Sequence, residues 1–135
     1  MGKGNTTRND LMLFYFNATA MPAYGATLYL SLHTADPGSS SVQTTNETSY
    51  GSYTRIGVVR TAVGFTVAAN QAVNASLAQF PTCTLGTATI THVAVGTTLA
   101  AAGQILYYGA LAVSLSVVVG TQPQFGAGAL IFTEA

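Results

Sequence analysis

ATLYLSLHTADP, residues 26–37, decides the fold. Leu28, Leu30 and Leu32 fall on one side of an extended chain, and Thr27, Tyr29, Ser31 and His33 on the other. That period of two marks a strand with one face buried, because successive Cβ atoms of a strand point to opposite sides. The run stops at Asp36-Pro37-Gly38. Proline brings no backbone donor to a ladder, and glycine frees the turn.

Downstream, residues 37–52 (PGSSSVQTTNETSYGS) form a long polar loop, of a length that compact domains keep for mobile or functional segments. Strand character returns at Tyr53–Arg60, with Arg55 and Val59 on one face and Ile56 and Val58 on the other. It recurs at Val63–Val67, at Ser76–Phe80 before Pro81, and at Thr87–Val95, whose β-branched residues suit a pleated surface. Ala68–Asn74 reads as a turn or bulge, and Leu99–Ala102 as one helical turn closed by Gly103. Gln104–Ala110 (QILYYGA) is apolar on both faces, through Ile105 and Tyr107 on one and Leu106 and Tyr108 on the other. Such a strand is covered twice. Ala112–Val119 alternates again, Gly120–Pro123 turns, and Gly128–Thr133 closes the chain. Roughly eight short strands with turn chemistry between them predict an all-β, antiparallel β-sandwich of jelly-roll type, two four-stranded sheets face to face.

Upstream, residues 1–10 (MGKGNTTRND) are polar and read as a flexible N-terminal arm, leaving 11–135 as a single domain. Leu11–Phe16 reads as a short helix capped by Thr7 or Asn9, with Asp10 in its first turn and Met21-Pro22 ending it. Its apolar residues are consecutive, so it is expected to be buried, against its own domain or a neighbour. Met1-Gly2 with Thr6 fits a myristoylation pattern, and Lys3, Arg8, LMLFYF and Ala18-Thr19-Ala20 imitate a signal peptide. Six apolar residues fall short of the usual ~7–15 of such a leader.

The surface is nearly uncharged. Only 6% of the 135 residues are charged, four basic against four acidic, where soluble domains carry about a quarter. Little self-repulsion keeps copies apart, which suits a protein that lives in an assembly. Lys3, Arg8, Arg55 and Arg60 are too few for a phosphate-binding patch, so no nucleic-acid partner is expected. No apolar run reaches the ~18 residues of a membrane span. The one cysteine, Cys83, forms no internal disulfide; it reads as a small buried apolar residue in a protein made in a reducing compartment.

Candidate chemistry is thin. His33-x-x-Asp36 with Glu47 across the loop, and His92 further on, are the residue types of a metal or acid–base site. Simpler roles fit each. Asp36 before Pro37 starts a turn, Glu47 and Arg55 form an ion pair that ties the loop to the strand, and His92 is a hydrogen-bonded core histidine. His33, Asp36, Glu47 and Arg55 therefore read as a loop-pinning network, with no catalytic residue, cofactor or metal expected. Sequons at Asn5, Asn17, Asn46 and Asn74 arise readily in a chain rich in Asn and Thr.

Tyr29-Leu-Ser-Leu-His33-Thr-Ala-Asp36-Pro-Gly38, Asn46-Glu47 with Ser49-Tyr50, Tyr53-Thr-Arg55, Phe80-Pro81, Thr91-His92 and Phe125-Gly-Ala-Gly128-Ala-Leu occur in that order. The combination resembles a family of small tailed-bacteriophage virion proteins, often loosely labelled tail fibre proteins, some of them capsid cement or decoration proteins with a jelly-roll fold. The resemblance implies a non-enzymatic cement protein, made in the host cytoplasm and bound to the outer surface of the capsid. Its partners would be the major capsid protein and copies of itself, a dimer being preferred to a trimer. Leu11, Leu13, Phe14, Phe16, Ile105, Leu106, Tyr107 and Tyr108 are the candidate subunit contacts, and the arm before Leu11 a strap ordered on binding. The alternatives are a tail fibre or tail-tip component, and a carbohydrate-binding jelly roll using Tyr24, Tyr50 and Tyr53.

Overall fold

A computed structural model describes residues 1–134. The elements, in chain order, are β1 (Gly2–Lys3), α1 (Asn5–Asn17), β2 (Thr27–His33), β3 (Ile56–Val59), β4 (Phe65–Ala68), β5 (Gln71–Asn74), β6 (Ala78–Gln79), β7 (Ala88–Gly96), β8 (Ile105–Val117), β9 (Gln124–Phe125) and β10 (Ile131–Thr133). All pairings are antiparallel. They make one five-stranded sheet in the order β1-β8-β7-β2-β3, faced by a three-stranded sheet β10-β5-β4 and a two-stranded sheet β6-β9. This is a β-sandwich with one N-terminal helix, as the alternation predicts, divided five against three and two in place of four against four.

The core lies between the layers. Leu30, Leu32, Ile90, Val93, Val95 and Leu106 come from the large sheet; Ala78, Phe80, Cys83, Leu130 and Phe132 come from the other side. Aromatic rings bridge it, with Tyr53 stacked on Phe80 and Phe125 edge-on to the same ring. Rings of this size carry much of the apolar area buried.

β2 runs where the opening stretch puts it, but it is not half-buried. Ser31 and His33 are as inaccessible as Leu30 and Leu32. The polar loop after Pro37 folds back over the outer face of the sheet, and Gln43, itself wholly buried, reaches β2 and the turn after β7.

Three further expectations are corrected. Ala68–Asn74 is not simply a turn: Ala69 and Asn70 both take positive φ (49° and 63°) in a tight hairpin, and β5 follows at once. Two consecutive positive φ values are what a two-residue hairpin loop demands. Gln104–Ala110 and Ala112–Val119 are one continuous strand, β8, interrupted where Leu111–Ser114 bulge opposite Thr91 alone. Leu99–Ala102 bends without becoming helical, Ala101 taking a left-handed φ of 66°.

Residues 1–10, read as a flexible arm, are built into the sheet and the helix. Gly2 and Lys3 pair with Tyr108 and Tyr107 of β8. The helix starts earlier than expected, at Asn5, with Gly4 as N-cap and no side-chain cap. Thr7 is not free to cap because its hydroxyl donates to the Ile105 carbonyl, 3.0 Å away. Asp10 consequently lies mid-helix. The helix stops at Ala18, whose left-handed φ of 51° lets its N–H return to the Leu13 carbonyl, well before Met21-Pro22. Among the described residues no helix is long and apolar enough to cross a membrane.

Candidate functional site: a pinned loop, an aromatic helix end and an apolar cleft

The loop after β2 is held by one ion pair and its neighbours. Glu47 lies in register with His33, so the loop joins β2 through an isolated bridge. Arg55, just before β3, donates from Nε and Nη2 to the two carboxylate oxygens of Glu47, each at 2.7 Å. Its remaining donors reach Thr98 O (3.1 Å), Thr98 Oγ1 (3.3 Å) and Ala101 O (2.9 Å), tying in the β7–β8 turn as well. Tyr53 donates its hydroxyl to Glu47 Oε1 and accepts from the Leu32 amide. Burial and the adjacent carboxylate push the Tyr53 phenol far above its ordinary pKa, so it stays a donor.

His33 belongs to the same cluster. Its Nδ1 faces the Thr45 carbonyl at 2.8 Å, and a carbonyl only accepts, so the ring proton sits on Nδ1. Nε2 then accepts from the Ser31 hydroxyl at 2.8 Å. Burial lowers the imidazole pKa, against a smaller opposing pull from the Thr45 hydrogen bond and Glu47. Asp36 stands apart: it accepts from the Gly38 amide in a local turn, while its carbonyl takes a bond from Asn46. The structure thus brings His33, Glu47 and Arg55 together and leaves Asp36 at the loop's start. His92, half-buried and opposite His33, bonds Thr91. Among the described residues no three His, Cys, Asp or Glu side chains gather as metal ligands would.

The expected contact residues divide. Ile105 and Leu106 are buried inside the chain, at 1% and 8% exposure, and so offer no outer surface. The second cover on this strand is the chain's own first residues. Gly4 lies so close that a Cβ there would stand 2.3 Å from the Ile105 carbonyl oxygen. Tyr107 and Tyr108 are half-buried, and Tyr107 donates to Glu134, which Lys3 also contacts. Those two partners hold the Glu134 carboxyl below its usual pKa. Leu11 and Leu13 are half-buried, whereas Phe14, Tyr15 and Phe16 are 48%, 69% and 75% exposed. Of the two covers expected for Leu11–Phe16, its own domain buries only part of Leu11 and Leu13, and the end of the helix is left as an open aromatic turn.

Sequence reasoning missed three features. Gln43 and Asn74 are fully buried clamps: Asn74 bonds Ser76, Gly126 and Leu130, closing the last turn of the chain onto β5. Nothing in a lone Asn or Gln of a polar stretch signals this. The third is a cleft of about 740 Å³ where one end of the sandwich stays open, walled by Leu28, Phe65, Val67, Val95, Leu106 and Phe132, with Arg60 and Glu134 also lining it. The tyrosines proposed for glycan stacking are otherwise engaged. Tyr50 is buried with its hydroxyl on the Pro81 carbonyl, Tyr53 holds Glu47, and Tyr24 lies beneath Arg60.

The result is a nearly uncharged two-layer sandwich whose polar clusters are spent on holding its own loops and whose apolar cleft stays open. The chain belongs to the family described as Podophage GP4 fiber I protein gp80, whose model matches residues 2–133. Comparison with curated proteins returns no match. The resemblance to tailed-phage virion proteins holds at that level, and the family's description says fibre where the resemblance pointed to capsid cement.

Proposed function

We propose that this chain is a non-catalytic building block of a podophage fibre. The observation that carries this is the family match over residues 2–133, which takes in both sheets, the helix and the pinned loop. The side chains support it. Glu47, Arg55 and His33, the residues best suited to chemistry, have their hydrogen-bonding groups committed to loop backbone and to one another. A site whose polar groups are consumed internally holds shape and has nothing left to offer a substrate.

A cement protein on the outside of the head is the second reading. It draws on the sparse charge, which suits permanent contacts with capsid subunits. Antibody–gold labelling of intact virions separates the two. Gold on fibres projecting from the particle is the result expected, and gold spread over the head would overturn the fibre assignment in favour of cement.

A further inference from the structure

We propose that the cleft at the open end of the sandwich binds a small amphiphilic anion, a free single-chain carboxylate of the fatty-acid class, with its chain between the layers and its head on Arg60. The site does not depend on whether the protein sits on fibre or head. Its first support is a graded apolar lining. Val95, Leu106 and Phe132 form the floor, at 4%, 8% and 5% exposure. Leu28 and Phe65 are half-buried above them, and Val67 carries the apolar wall out to the rim, where it is 74% exposed. The space is about 740 Å³, inside the ~300–1,000 Å³ range of small-molecule pockets. An apolar chain laid there takes Val67 and the half-buried walls out of water, which is favourable in proportion to the area covered.

Charge decides the head group. Two charged residues line the cleft, Arg60 and Glu134. The Glu134 carboxylate is spent on Lys3 and on the Tyr107 hydroxyl, so its charge is balanced inside the chain. Arg60 has no carboxylate partner among the described residues. One of its donors goes to the Gly25 carbonyl at 3.1 Å, and its guanidinium lies over the Tyr24 ring at 5.6 Å. Those contacts hold the guanidinium in place and leave it further donors, since the group has five. A planar guanidinium takes a carboxylate through two parallel hydrogen bonds. The cleft thus sets one unbalanced positive charge at the edge of an apolar floor, the complement of one negative charge on an apolar chain. A neutral or cationic amphiphile would leave Arg60 uncompensated.

The same charges separate a free molecule from a bilayer. Recognition of an anionic membrane surface takes a cluster of about 4–8 Lys or Arg. The whole chain has four, and Lys3 and Arg55 are already in ion pairs. One available guanidinium suits one head group.

The test is calorimetric titration of the full chain with decanoate, decanol and decyltrimethylammonium. Wild type should bind decanoate at one site per chain, roughly 10-fold tighter than decanol, the margin of one charge-assisted contact, and should bind the ammonium least. Arg60→Gln should remove that margin and leave the affinity for decanol unchanged. Val67→Asp should weaken decanoate and decanol together, whereas Val63→Asp, as exposed but outside the cleft, should alter neither. A wild type that binds no decanoate would overturn the proposal, as would equal affinity for decanoate and decanol, or binding that survives Val67→Asp. Flotation with phosphatidylglycerol vesicles that is lost in Arg60→Gln and Val67→Asp would overturn the assignment to a free molecule and pass the cleft to membrane lipid.

Discussion

Removing Arg55 should damage the fold more than any surface substitution, and the reason can be put in numbers. Its side chain is 3% exposed and that of Glu47 12%, so the pair lies out of water. Arg55→Met keeps the aliphatic stem but strands the Glu47 carboxylate with Tyr53 as its one neutral donor, and it frees the Thr98 and Ala101 carbonyls. An isolated buried charge of this kind costs about 3–5 kcal/mol. In a domain of this size that is a fall in Tm of about 10–20 °C. Glu47→Gln keeps an acceptor and leaves the guanidinium its two carbonyls, so its loss should be nearer ~2 kcal/mol. The double variant is the discriminating measurement. With no carboxylate left to strand, Glu47→Gln should cost little, or be restorative, in the Arg55→Met background. Urea unfolding followed by far-ultraviolet circular dichroism and tyrosine fluorescence reads this, as there are seven tyrosines and no tryptophan. Strict additivity, or a loss below about 1 kcal/mol for Arg55→Met, would refute a buried coupled pair.

His33 gives a pH signature. Its folded pKa lies below the ordinary value of 6.5, so above pH 6.5 both states are neutral and there is no effect. Below it the unfolded chain takes up a proton that the folded chain resists, and stability should fall, by at most ~1.4 kcal/mol per pH unit, until the folded pKa is reached. Urea midpoints between pH 7 and 5 should show this slope in wild type and lack it in His33→Gln; an unchanged slope would remove His33 as its source. Gly4→Ala places a Cβ 2.3 Å from the Ile105 carbonyl, backbone that has little room to give. It should cost ~1–3 kcal/mol and speed amide exchange across Gly2–Thr7 while β2 and β7 stay protected. Undisturbed exchange there would mean that the segment does not rest on β8 as described.

The fold class was legible because alternation is a local signal. Leu28, Leu30 and Leu32 mark the inner face of β2 without reference to any partner. Glu47 and Arg55 were legible as a pair for a related reason, a lone acid and a lone base flanking one loop of an almost chargeless chain. The outer face of the same strand was not legible. Ser31 and His33 look like solvent-facing residues, and only the return of the loop through Gln43 and Thr45 buries them. The hairpin at Ala69-Asn70 escaped notice because it lacks the Asn-Gly or Asp-Gly that marks such turns. Polar composition misled in the same way at residues 1–10, whose glycines read as mobility but serve close approach.

Gly4 and Gln43 show what the outer face of the five-stranded sheet is for. Two stretches that looked mobile meet there, the residues around Gly4 and Thr7 against β8 and the loop at 37–52 against β2. Asn5 donates to the Ser39 carbonyl at 2.6 Å, which joins one stretch to the other. The sandwich therefore has a third, partial layer, made of the start of α1 and the loop through Gln43 and Thr45. That layer uses the doubly apolar strand at Ile105–Tyr108, which would otherwise have called for a neighbouring subunit. Apolar surface stays uncovered elsewhere, at the Phe14–Phe16 turn of α1, in the cleft, and at scattered positions such as Val63, Leu85 and Val113. In a chain with four positive and four negative side chains, two of each already in ion pairs, those surfaces lie in a nearly neutral field.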